Sequence, residues 1–277
     1  MKNKLVLIGN GFDLAHGLKT SYKDFLDWYI CSAYKEFCKK RYYNDRLIEI
    51  ETKYPIISYG LQNEPNNFSE VLNSISATQS QSLNYHSNFF KSLLNRFTSN
   101  RWVDIECFYF KTLKVFFSNS NISKEETVGK LNSDFDFLIE KLTEYITKIN
   151  LTISQTRKLP IDNSRFAIKK LFGENNDNRI KFLNFNYTET LHSIYNITQE
   201  EIIHIHGRVA DIERNPIIFG YGDESDPDYQ KIEDSDENLY LHHIKSFGYF
   251  RTKNYEKLLL FLDSDEYFAD ASVRLSY

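Results

Sequence analysis

Apolar and polar positions divide the chain into an opening strand, a long helical stretch and a closing run of short strands. Lys4 to Ile8 is a brief apolar run that stops at Gly9-Asn10-Gly11, the pattern of a strand buried on both faces that opens into a turn. A parallel sheet is the setting such a strand implies. From Ser21 the period changes to three and four: Tyr22, Phe25, Leu26, Tyr29, Ile30, Ala33, Tyr34 and Phe37 share one stripe, with Ser21 and Asp24 spaced as a capping pair. The spacing predicts a helix. Asn44 to Asn67 is polar and carries Pro55, Gly60 and Pro65, so it reads as a long loop. Helical spacing returns over Phe68 to Ile75, Leu83 to Phe97 and Trp102 to Phe117, the last apolar nearly all round. Val128, Leu131, Phe135, Leu138, Leu142, Tyr145 and Ile149 form the cleanest stripe. From Ile180 the pattern reverts to strands at Ile180 to Phe185, Glu201 to Ile205 and Ile217 to Phe219, each followed by a polar or glycine-bearing turn.

The fold class that follows is α/β: a mostly parallel sheet built from about residues 1–20 and 176–262, with a large helical insertion over about 21–172 and an irregular tail over 263–277. One domain spanning 1–277 is expected, with no internal repeat. Composition sharpens this: 41% hydrophobic and 26% charged residues exclude disorder, while only 10 glycines and 5 prolines favour long helices over tight turns. A net charge of -4 makes nucleic acid an unexpected partner. The 3 cysteines include no C-x-x-C pair, so neither a disulfide framework nor a cysteine zinc site is expected, and a reducing compartment is. The first apolar run is too short for a signal peptide, and Leu258 to Leu262 falls far short of the roughly 20 residues that span a bilayer. A cytoplasmic chain without a membrane partner is the expectation. An oligomer interface made of surface aromatics is left open.

Six of the ten glycines fall in two clusters, Gly9, Gly11 and Gly17, then Gly207, Gly220 and Gly222, each following a predicted strand. A glycine turn between a parallel strand and a helix lets backbone amides approach a phosphate. The same glycines also suit a plain tight turn, and Leu14 breaks the dinucleotide fingerprint G-x-G-x-x-G. Asn184-Phe185-Asn186-Tyr187-Thr188 and His204-Ile205-His206-Gly207 end two further strands. Alternation would set His204 and His206 on one face, and the carboxyl ends of the strands would bring Asn186 and His206 beside Gly9 and Gly11. A metal reading competes: His204, His206, His242 and His243 supply imidazoles, and Asp223, Glu224, Asp226 and Asp228 supply oxygens. No metal is expected, because no His-x-x-x-His or cysteine pair supports it. Asp223 to Glu237, with eight of fifteen residues acidic, reads as a solvated loop.

Leu7-Ile8-Gly9-Asn10-Gly11-Phe12-Asp13-Leu14-Ala15-His16-Gly17-Leu18 resembles the opening of the AbiH proteins, a bacterial phage-defence family of the abortive-infection kind. The resemblance continues through Trp102 to Glu106, Asn184 to Leu191, His204 to Val209 and Ile218 to Asp223. More distantly, the same points resemble the sirtuin-like fold: Gly11 and Gly17 match its first turn, Asn186-Tyr187-Thr188 its Asn-hydrophobic-Asp turn, and His206-Gly207 its His-Gly pair. What this implies is a Rossmann-like domain binding NAD, without a metal. The chain would hydrolyse NAD to nicotinamide and ADP-ribose, with a phage-derived trigger or defence partner. His206 would be the base and Asn186 the orienting amide. Gly9, Asn10 and Gly11 would hold the pyrophosphate, Asp13 would lie near the ribose or the nicotinamide end, and Phe12, Gly17, Asn184, Tyr187, Gly207 and Gly220 would complete the pocket. Thr188 departs from the sirtuin pattern, and without the zinc cysteines peptide deacylation is not expected. Relatives continue past the helix matching Tyr255 to Leu262, so the resemblance also implies a shortened member. Two other classes stay open: a non-catalytic module that holds NAD or ADP-ribose, and a metal-dependent nuclease or hydrolase.

Overall fold

The computed structural model describes residues 4–52, 64–78, 80–99, 104–119, 123–156, 180–223 and 225–263. Two compact units divide the chain, the first comprising Met1–Thr20, Ile146–Phe219 and Lys245–Tyr277, the second Ser21–Tyr145 and Gly220–Ile244.

The first unit is built on a parallel sheet of β1 (Lys4–Ile8), β5 (Ile180–Asn184) and β6 (Ile202–His204), with β5 in the middle. Alternation within the strands sends their apolar side chains to both faces. On one face Ile8, Phe182 and Ile202 are covered by Phe12 from α1 (Asn10–Ala15) and by Leu191 and Tyr195 from α7 (Thr190–Tyr195). On the other, Leu183, Ile203 and Ile205 are covered by Tyr249 from α10 (Lys245–Thr252) and by Tyr255 and Leu258 from α11 (Asn254–Asp263). The class is therefore mixed α/β, with helices on both faces of a small parallel sheet. The strand predicted over Ile217 to Phe219 does not form. That segment meets the His206 turn through Ile218 N–H to His206 O at 2.8 Å, without a ladder. His206 also lies two residues beyond the end of β6, so the predicted alternation with His204 does not reach it.

The second unit carries α2 (Tyr22–Lys40), α3 (Phe68–Thr78), α4 (Asn88–Ser99), α5 (Ile105–Phe117), the first part of α6 (Lys124–Thr156), α8 (Pro227–Asp234) and α9 (Asn238–Leu241). The Ser21 and Asp24 capping box is present, and Phe25, Leu26, Tyr29, Ile30, Ala33, Tyr34 and Phe37 are the buried stripe of α2. Three expectations fail here. Part of the predicted loop is an antiparallel hairpin of β2 (Tyr42–Asn44) and β3 (Ile48–Thr52). The start of the predicted helix at Leu83 is a third strand, β4 (Gln81–Tyr85). Ile48 and Ile50 are buried while Glu49 and Glu51 face Asn84, the period-two signal that the downstream prolines and glycine obscured. Asp45 closes the hairpin by accepting the Leu47 and Ile48 N–H groups. The acidic segment is partly helical rather than a loop, because Asp226 caps α8 and Pro227 opens it. Trp102, Val103, the stretch 157–172 of the predicted insertion and the tail from 264 lie outside the described residues.

Candidate functional site

The three parallel strands end level. Ile8 pairs with Asn184 and Asn184 with His204, so the turns at 9–13, 185–188 and 205–208 leave one edge of the sheet. Hydrogen bonds stitch these turns together: Phe185 N–H to Ile8 O at 2.9 Å, Ile205 N–H to Asn184 O at 3.1 Å, and Asn186 Nδ2 to Gly9 O at 3.0 Å. The residues expected to converge from the sequence, Gly9, Asn10, Gly11, Phe12, Asp13, Gly17, Asn184, Asn186, Tyr187, His206 and Gly207, all belong to this unit. Gly220 belongs to the second unit, where its N–H donates to Glu106 Oε1 at 2.9 Å. Phe12 is a packing residue, its ring lying 4.6 Å from His16 and 5.7 Å from Tyr195.

The glycines fall into two kinds. Gly17 and Gly207 have positive φ, 72° and 86°, and a Cβ on Gly207 would lie 2.0 Å from Pro216 O. A Cβ on Gly220 would likewise meet His243 O at 2.0 Å. The fold itself requires these three. Gly9 and Gly11 have neither constraint: a Cβ on either would meet nothing within 4 Å among the described residues, and neither has positive φ. Gly9 also precedes α1 without any side-chain cap for the first helical N–H groups.

Beneath these turns lies a buried polar network. Thr190 donates to Thr188 at 3.0 Å, and Thr188 donates to Asp13 Oδ2 at 2.6 Å. Asp13 is only 1% exposed, and its Oδ1 has no partner among the described residues. Burial pushes its pKa above the ordinary aspartate value, against the lowering effect of the Thr188 and Thr190 hydroxyls and of His16. Asn184 Oδ1 accepts the Asn186 N–H, and Asn184 Nδ2 lies 3.3 Å from His204 Nδ1. An amide nitrogen only donates, so His204 carries its proton on Nε2, which is buried without a partner among the described residues. Burial lowers His204 to about 4, with Glu189 opposing and Arg208 assisting.

His206 Nδ1 lies 3.1 Å from Phe185 O and Nε2 lies 2.9 Å from the Tyr249 hydroxyl. A carbonyl only accepts, so Nδ1 holds the proton and Nε2 accepts from Tyr249. Burial lowers His206 to about 3, reinforced by the Lys245 charge and opposed by the Phe185 carbonyl. The value near 6.5 of a free imidazole, which would suit a base at working pH, is therefore not retained in this conformation. It is a neutral acceptor. Tyr249 and the Thr188 to Asp13 link were not legible beforehand: nothing in the spacing of Tyr249 ties it to His206, and the Asp13 pairing spans distant parts of the chain.

Both histidines set a pH dependence. The unfolded chain takes up a proton near pH 6.5 whereas folded His204 does so only near 4, so each unit of acidification between these values favours unfolding. His204 alone is expected to remove roughly 3 kcal/mol of stability across that window. Asp13 acts in the opposite sense, because its raised pKa lets the folded form protonate first. Urea unfolding at pH 7 and pH 4.5 isolates the His204 contribution: His204→Gln is expected to flatten the acid slope, and an unchanged slope would contradict the assignment.

His204 and His206 belong to the first unit and the acidic run to the second, and the described residues of that run have other partners. Asp226 and Asp228 face Lys114, Asp228 also faces Lys231, and Asp223 accepts from Ser225, while Glu224 lies outside the described residues. His242 and His243 instead face Asp136. In the motif around Glu106, Asp104 caps α5 through Cys107 N–H, and Glu106 accepts from Tyr22 and Gly220.

With this geometry established, the family model described as bacteriophage abortive infection AbiH matches residues 5–261, which include all three strand-end turns. The chain belongs to the AbiH family. Its membership carries a role in abortive infection by bacteriophage. No curated protein and no solved structure matches this AbiH chain. Among its described residues no helix is long and apolar enough to cross a membrane.

Proposed function

We propose that this AbiH chain binds NAD at the ends of β1, β5 and β6, in a Rossmann-like, sirtuin-like manner, and hydrolyses it to nicotinamide and ADP-ribose. The observation that carries the reading is the pair Gly9 and Gly11, two side-chain-free positions that neither backbone conformation nor neighbouring protein atoms demand. A bound pyrophosphate approaching the backbone gives them a reason. Asn186 holds this turn through Gly9 O, and Asp13 places a carboxylate on Thr188, the position where the sirtuin-like pattern carries Asp. A buried carboxylate with one unmatched oxygen is costly, and such groups concentrate where a ligand uses them.

In the hydrolysis the bond from the ribose anomeric carbon to the pyridinium nitrogen breaks, and its electron pair neutralises the nicotinamide. Water adds to the same carbon and releases one proton. The leaving group departs neutral, so no general acid is needed, and an oxocarbenium-like centre asks little of the base. A neutral His206 Nε2, exchanging its Tyr249 partner for water or a ribose hydroxyl, suffices to orient the nucleophile. A binding module without turnover would use the same glycines and leave Nε2 on Tyr249.

Gly11→Ala tests the reading. Alanine in α1 is expected to leave stability unchanged or raise it by about 0.5–1 kcal/mol, while ADP-ribose affinity measured by calorimetry falls at least tenfold. An unchanged affinity would remove the argument from the glycines.

A further inference from the structure

We infer that Asp136, His242 and His243 form a binding site for a divalent transition-metal cation of the zinc class. The three side chains offer ligand atoms that all lie within 4.8 Å of one another, the one such cluster among the described residues. His242 Nε2 lies 3.4 Å from Asp136 Oδ2 and His243 Nε2 lies 3.3 Å from Asp136 Oδ1. Donors bound tetrahedrally at roughly 2.0–2.2 Å stand about 3.4 Å apart, and the exposed Asp136 carboxylate, which now turns one oxygen to each imidazole, would present a single oxygen to an ion between the two rings.

The donors are held in place from several sides. Asn132 and Asp136 sit four apart on one face of α6. Asn132 Nδ2 donates to Leu239 O at 2.7 Å and Asn132 Oδ1 accepts from the Tyr109 hydroxyl at 2.6 Å, anchoring the segment that carries the histidines. The His243 ring is 6% exposed as a side chain and meets Tyr109 and Phe135 edge-on at 5.3 and 4.7 Å. Its carbonyl accepts from Tyr221 N–H at 3.1 Å, and Gly220 gives the backbone room there. One ligand is thus fixed, while Asp136 and His242 are exposed enough to admit the ion.

Two imidazoles and one carboxylate select a borderline cation over magnesium or calcium, which take mainly oxygen ligands. Three protein ligands leave a coordination position for water or a small anion. The sequence reading paired these histidines with the acidic run 223–228; α6 supplies the carboxylate instead.

The test is titration of tag-free, chelator-treated full chain with Co2+ as a spectroscopic stand-in for Zn2+, followed by Zn2+ displacement. One equivalent is expected, with visible absorption of a four- or five-coordinate centre, loss of that absorption on Zn2+ addition, and a rise in melting temperature. His242→Ala and Asp136→Asn, both at exposed positions, are expected to weaken binding at least tenfold while circular dichroism stays unchanged. Absence of saturable binding, or binding that neither substitution alters, overturns the site.

Discussion

Replacing His206 by alanine is expected to lower NAD turnover by about 10²-fold or more while ADP-ribose binding changes only a few-fold. The separation follows from the two nitrogens. Nδ1 is committed to Phe185 O and fixes the ring, so Nε2 is the atom left to meet a substrate hydroxyl or water. Because burial holds His206 near 3, the ring stays neutral across the working range. The turnover rate of the parent is therefore expected to be flat from pH 8 to pH 5, with no fall through 6.5. A loss of activity near pH 6.5 that disappears in His206→Ala would show that the ring titrates normally and that the neutral-acceptor role is wrong. Equal loss of binding and turnover would place His206 in positioning rather than chemistry.

Gly207→Ala is the second large effect, expected on folding. Its φ of 86° lies in the left-handed region, and the new methyl would sit 2.0 Å from the Pro216 carbonyl oxygen, a backbone atom unable to swing aside. Strain of this kind costs of order 1–3 kcal/mol before the collision is counted, so a destabilisation of about 3 kcal/mol or more is expected. Urea unfolding compared with Gly11→Ala, another Gly to Ala change in the same unit, is the direct check. A loss under about 1 kcal/mol would mean that the His206 to Ile218 approach is looser than the structure has it.

β1 and β5 of the first unit and the α2 stripe of the second were legible because their signals are local. They stand out as runs and periods that few other arrangements explain, and the level strand ends follow from the register of the parallel sheet. The second unit's sheet was hidden because Gln81–Tyr85 is a polar strand whose partners are Glu49 and Glu51 side chains as much as backbone. Ile217 to Phe219 misled for the converse reason: an apolar run resembles a strand whether or not a neighbour has room for a ladder. At the site, the motifs identified Asn186, His206 and the glycines but not their partners. Asp13 meets Thr188, and His206 meets Tyr249, across separations that no periodicity records. The sorting of glycines into those the fold needs and those it does not was equally out of reach, since it depends on where Pro216 and His243 backbone atoms lie.

The most direct test of the NAD assignment is nicotinamide release from NAD by the purified chain, alone and with phage lysate added. The account predicts release of nicotinamide and ADP-ribose in equal amounts by the parent, about 10²-fold slower or more in His206→Ala and at least tenfold slower at sub-saturating NAD in Gly11→Ala. No release from the parent under either condition, or release that both variants retain, would contradict it.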